Sequence, residues 1–99
     1  MTVRVRIAPE AEAELGAAAL WYESKCAGLG ADFLAAIDAA LERIAENPLA
    51  APMWQAGLPY RRHLVWRFPF LVFFTVSDEA VEVLAVAHAK RRPGYWRNR

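Results

Sequence analysis

"FPFLVFFTV", residues 68–76, decides the fold of this 99-residue chain. It is continuously apolar, rich in aromatic and β-branched side chains, and carries no charge, as a central strand covered on both faces requires. It is far too short to cross a bilayer as a helix. Pro69 fits only at its beginning, where no ladder donor is needed. A strand covered on both faces demands neighbours in the sheet and something packed above it, and the flanking sequence supplies both.

On the C-terminal side, "SDEA" (77–80) has turn chemistry and "VEVLAVA" (81–87) returns as another strand. On the N-terminal side, "YRRHLVW" (60–66) alternates loosely, as an edge strand does. Before it, "PLAAPMWQAGLP" (48–59) has three prolines and a glycine and reads as a surface loop. "TVRVRI" (2–7) alternates Val3, Val5 and Ile7 with Arg4 and Arg6, the period of a half-buried strand.

Two helices fill the remainder. Pro9 suits a first helical turn, and Glu10, Glu12 and Glu14 complement the positive end of the dipole. Leu15, Ala18, Ala19, Tyr22 and Cys26 form the apolar stripe of the first helix. "GLG" (28–30) breaks it. The second helix, from about residue 31, carries Phe33, Leu34, Ile37, Leu41 and Ile44 on one side and stops at Asn47-Pro48. The order β-α-α-β-β-β predicts a single α+β domain over residues 1–99, with a helical hairpin packed on a mainly antiparallel four-stranded sheet.

The composition narrows the function classes. A 57% apolar and 23% charged chain folds, though with a core small enough for a partner to add stability. One cysteine forms no internal disulfide, no Cys/His cluster has metal spacing, and "MTVRVRIAPE" lacks the apolar core of a signal peptide. A cytoplasmic protein without metal or cofactor is therefore expected. There is no glycine-rich phosphate loop and no nucleophile elbow. Net charge is only +1, but residues 1–50 hold four Lys/Arg against eight Asp/Glu, and residues 51–99 hold eight against three. Such polarity either neutralises within the fold or offers a face to anions.

The ending "HAKRRPGYWRNR" (88–99) concentrates that charge. It reads either as a solvated end or as a working surface. Tyr95 and Trp96 are costly to leave in water, so the tail is expected to fold back or to bury against a partner. Arg61, Arg62 and Arg67 on the 60–76 strand pair, with His88 and Tyr95, are the groups that RNA cleavage would use. Guanidinium groups hold the phosphate, and the imidazole or phenol moves protons.

"LWYE" (20–23), "GLGADFLAAIDAALERIAENP" (28–48), "RRHLVWRFPFLVFF" (61–74) and "VLAVAHAKRRPGYWRNR" (83–99) together resemble the RelE/ParE superfamily of bacterial type II toxins, most of all its ParE, or plasmid-stabilisation, branch. The resemblance implies a growth-inhibiting toxin neutralised by a cognate antitoxin. Its ParE side implies inhibition of DNA gyrase, with the region of the last strand and C-terminus implicated; the corresponding target-binding residues are Arg91, Arg92, Tyr95, Trp96 and Arg97. Its RelE side implies a ribosome-dependent mRNA endonuclease, with Arg61 or Arg62, Arg67, His88 and Tyr95 as catalytic residues. The chain departs from the strongly basic RelE pattern, which favours gyrase over ribosome and mRNA. A member that only binds its antitoxin is the third reading.

Overall fold

The computed structural model describes residues 3–78, 80–92 and 94–99. Thr2 of the expected first strand, Glu79 of the expected turn and Pro93 of the tail lie outside it. Six main elements follow in the expected order: β1 (Arg4–Ile7), α1 (Pro9–Lys25), α2 (Leu29–Glu46), β2 (Arg61–Leu64), β3 (Phe70–Val76) and β4 (Ala80–His88), with a short 3-10 turn at Pro48–Ala50. The sheet order is β1-β4-β3-β2. β3 is thus an interior strand, with Phe70, Val72, Phe73 and Phe74 buried. β4 pairs antiparallel with β3 and parallel with β1, and the helical hairpin carries the chain from β1 at one edge of the sheet to β2 at the other.

Each helix forms for local reasons and then buries one side. α1 starts at Pro9 with Glu10 and Glu12 in its first turn. Cys26, expected on its apolar stripe, lies just past its end and is exposed, because the helix stops at Lys25. α2 begins two residues earlier than expected and buries Gly30, Phe33, Ile37, Ala40 and Ile44, a 3-4-3-4 spacing. Leu34 falls outside that stripe and is exposed. Tyr22 of α1 wedges between Phe33, Phe68 and Phe70, with ring centroids 4.9–6.2 Å away.

The hairpin between the helices depends on two glycines and one carboxylate. Gly28 has φ 89°, which favours glycine, and the Glu23 carboxylate accepts the N–H groups of Gly28 and Gly30 at 2.9–3.1 Å. These are donors that a helix start leaves unpaired. At Gly30 the helices approach so closely that a Cβ would lie 2.7 Å from the backbone oxygen of Ala19. At Gly16, in the middle of α1, a Cβ would meet nothing within 4 Å. The two positions therefore respond in opposite directions to the same change. Gly30→Ala is expected to lose about 1–3 kcal/mol by overpacking, and Gly16→Ala to gain up to about 1 kcal/mol from helix propensity. Thermal melts of the two variants check this.

The sheet has two covered faces. On the helix side, Val72 and Phe74 of β3 and Val81, Val83 and Val86 of β4 join the helical stripes. On the other side, Phe73, Ala85, Ala87 and Trp96 are buried, with Trp54, Tyr60, Leu71, Leu84 and Tyr95 packed around them. Strict alternation would place Val81, Val83 and Ala85 together. Instead Phe74 pairs with Val83 and Phe73 with Ala85, leaving Leu84 as an extra residue. This one-residue bulge switches the facing of β4, so that Ala85 and Ala87 turn to the far side.

The far face is covered by the tail itself. After β4 the Arg91 N–H closes a turn on His88 O, and Gly94 (φ 80°) redirects the chain. Trp96 then seats on Phe73 and Tyr60, both at 4.7 Å between ring centroids, with Trp54 at 5.2 Å. Trp96 is 1% exposed. The tail is folded structure.

Candidate functional site

The sequence-predicted nuclease residues are not all brought together. Arg61 pairs with Phe74 and His88 with Phe70, so they stand four residues apart along β3, about 13 Å at the rise of a strand, and on strands to either side of it. Arg61 donates to Leu49 O and Ala51 O, bracing the loop before β2. Arg62, next along β2, is exposed on the opposite face. Arg67, in the turn between β2 and β3 at φ 68°, pairs with Asp32 at 3.0 Å and lies over the Phe68 ring. His88 packs edge-on against Phe70, with ring centroids 5.3 Å apart, and its Nδ1 accepts the Lys90 N–H. Tyr95 reaches none of these groups and donates to Glu14 instead.

The five expected target-binding residues divide. Arg91, Arg92 and Arg97 are exposed, Tyr95 is half-buried and Trp96 is fully buried. Trp96 is therefore a packing residue of the free chain, its indole taken out of water by the far-face aromatic cluster.

What the sequence did not reveal is Glu14. Read as a contributor to the helix dipole, it points instead across the edge of β4, where its side chain is 13% exposed. Its Oε1 accepts Val86 N–H at 3.1 Å and Arg99 Nη1 at 2.9 Å. Its Oε2 accepts Arg99 Nη2 at 3.1 Å, Arg91 Nη1 at 3.5 Å and the Tyr95 hydroxyl. The Arg91 guanidinium stacks 3.7 Å above the Tyr95 ring. One carboxylate gathers three tail residues.

These contacts fix the protonation states. Burial would raise the Glu14 pKa, but hydrogen bonds from Arg99, Tyr95 and Val86, with the Arg99 charge, outweigh it and hold the carboxyl below its usual range. Burial and the hydrogen bond to Glu14 push the Tyr95 phenol up to about 12. Because the folded pKa of Glu14 is depressed, the unfolded chain binds the more protons in acid. Its contribution to stability is complete above the unfolded value of about 4.3 and is lost as pH falls through the folded value. The melting temperature of the wild type should thus drop further between pH 6 and pH 3.5 than that of Glu14→Gln. Equal drops would show that folding does not lower the Glu14 pKa.

The family model of the ParE toxin of type II toxin–antitoxin systems, parDE, matches residues 5–93, from β1 to the tail. The chain belongs to the ParE toxin family. Its fold matches that of a solved protein described as "Chromosomal ParDE TA system from P. aeruginosa", with a TM-score of 0.67 and 18% identity over 88% of this chain and 96% of that one. No curated protein matches the chain in sequence. For a ParE-family toxin, the folded tail and its Glu14 anchor are the features that remain to be assigned a task. No cluster of three metal-ligating side chains occurs among the described residues, and no helix among them is long and apolar enough to cross a membrane.

Proposed function

We propose that this ParE-family toxin arrests growth in the cytoplasm by binding DNA gyrase, and that a cognate antitoxin holds it inactive until release. The observation that carries the reading is the outward surface of the tail. Lys90, Arg92 and Arg97 are exposed there, and none makes an ion pair among the described residues. A folded, anchored segment presenting such exposed cations is suited to binding, since less order remains to be imposed on association. The separation of Arg61 from His88 and the engagement of Tyr95 by Glu14 favour binding over RNA cleavage.

The antitoxin needs a different surface, and two apolar patches supply candidates. Leu20 and Trp21 on α1 are 74% and 56% exposed, and Leu64 and Trp66 by the β2 edge are 60% and 83% exposed. Aromatic anchors of this kind dominate binding energy when a partner covers them. Trp21 and Trp66 are the anchors expected for it, since Trp96 is buried and Trp54 half-buried in the free chain. Antitoxin at one hundred times its Kd should stabilise the toxin by about 2.7 kcal/mol, read as a rise in melting temperature.

Induction of the toxin alone in cells tests the target. Plasmid DNA should lose negative supercoiling while ribosome-bound mRNA stays uncut. Cut mRNA with unchanged topology would replace this reading by the nuclease. His88→Ala discriminates further: it should leave growth arrest intact, whereas loss of a general acid–base group would slow cleavage about a hundredfold or more. Normal growth and normal topology, with antitoxin still bound, would identify a member that only binds its partner.

A further inference from the structure

Glu14 sits where β1 gives out. The chain turns into α1 after Ile7, with the Ala8 N–H on Val83 O as the last backbone link between β1 and β4. β4 continues to His88, so among the described residues no strand lies beside residues 84–88 on that side. Two side chains take the place of the missing strand. Glu14 accepts the Val86 N–H, and Arg99 Nη1 donates to Leu84 O at 3.2 Å. Those same side chains are joined by the paired, fork-like contact that a guanidinium makes with a carboxylate. Arg91 and Tyr95 add two further ties to the same carboxylate.

The tail is consequently pinned at positions 91, 95 and 99 from the edge of the sheet, and at Trp96 from its far face. Arg92 and Arg97 lie between the pinned positions and remain exposed. The surface assigned to gyrase is shaped by a residue on another element, 77 residues away from Arg91 and 85 from Arg99.

We infer that Glu14 is the positioning residue of the toxin's working surface, holding the tail on the edge of β4 so that Arg92 and Arg97 meet the target in one arrangement. The inference rests on the tail being the target-binding surface. A tail released at that edge keeps its cations but has to be ordered on binding, so affinity falls without the loss of any contact with the target.

The experiment compares full-length wild type with Glu14→Gln, which keeps the volume of the side chain and removes its charge. Three readouts are taken: tryptic cleavage within residues 91–99, ionisation of Tyr95 by NMR of ring-labelled tyrosine (assigned with Tyr95→Phe), and inhibition of gyrase supercoiling. Glu14→Gln should keep a cooperative melt and be cut in the tail at least about tenfold faster, with Tyr95 titrating back toward the ordinary value of about 10. Inhibition should weaken about tenfold or more. Unchanged cleavage and Tyr95 titration would show that Glu14 does not pin the tail. A loosened tail with undiminished inhibition would show that pinning has no part in activity. If Glu14→Gln fails to fold, Arg99→Gln breaks the fork from the chain end and is read in the same way. Should the wild type leave gyrase untouched, the gyrase reading falls. Growth arrest in cells then becomes the third readout, and still decides the role of Glu14.

Discussion

Trp96→Ala is expected to cost about 3–5 kcal/mol, the range for deleting a fully buried large aromatic. A domain of this size has a total of about 5–15 kcal/mol, so the variant should be largely unfolded at temperatures where the wild type is stable. The loss comes from both sides of the contact. Removal of the indole leaves Phe73, Tyr60 and Trp54 facing a cavity on the far side of the sheet. Deletion of residues 91–99 should do at least as much, since it removes the Glu14 partners along with the ring. From the sequence, such a deletion would leave both helices and every strand whole, and it does so only in the sense of chain length. Near-ultraviolet circular dichroism and a thermal melt check both variants. A truncated chain with a wild-type melt would remove the tail from the core. Trp96→Phe should lose less, because the indole Nε1 has no hydrogen-bond partner among the described residues to give up.

The second large effect concerns activity. Arg92→Gln combined with Arg97→Gln should leave the melting temperature nearly unchanged, since both side chains are exposed and make no ion pair among the described residues. Surface changes of that kind stay within about 0.5 kcal/mol. Charged hydrogen bonds contribute about 1.5–3 kcal/mol each when removed, so loss of two should weaken target engagement about a hundredfold or more. Arg91→Gln with Arg99→Gln should behave in the opposite order, lowering stability first because these two hold Glu14. Titrating each pair for growth arrest, with melts in parallel, separates charge that meets the target from charge that fastens the tail.

The parts of this fold that were legible from sequence are those written within a few consecutive residues. β3 announces itself by an uncharged apolar run, α1 by Pro9, and the end of α2 by Asn47-Pro48. The parallel partnership of β1 with β4 was not legible, because no local pattern says which strand lies beside which. The bulge at Leu84 is also silent, for an apolar run looks the same whichever face each residue takes. Among the site residues, the need to bury Tyr95 and Trp96 was visible in their chemistry, but the burial face was not. Glu14 looked like its neighbours Glu10 and Glu12, and only the folded chain brings Val86, Arg91, Tyr95 and Arg99 to it. Its one sequence signal was position: it shares a turn with Leu15 and Ala18, on the half-buried side of α1. Which of Arg61 and Arg62 faces a given side was not legible either, because neighbours on a strand point to opposite faces and the sequence does not say which face is which.

Supercoiling of relaxed plasmid by purified gyrase, titrated with the purified toxin, is the most direct measurement of what this molecule does. Wild-type toxin should block the reaction, the Arg92→Gln/Arg97→Gln variant should need about a hundredfold or more toxin to do so, and added antitoxin should restore it. Supercoiling that proceeds undisturbed at saturating, folded wild-type toxin would contradict the gyrase assignment.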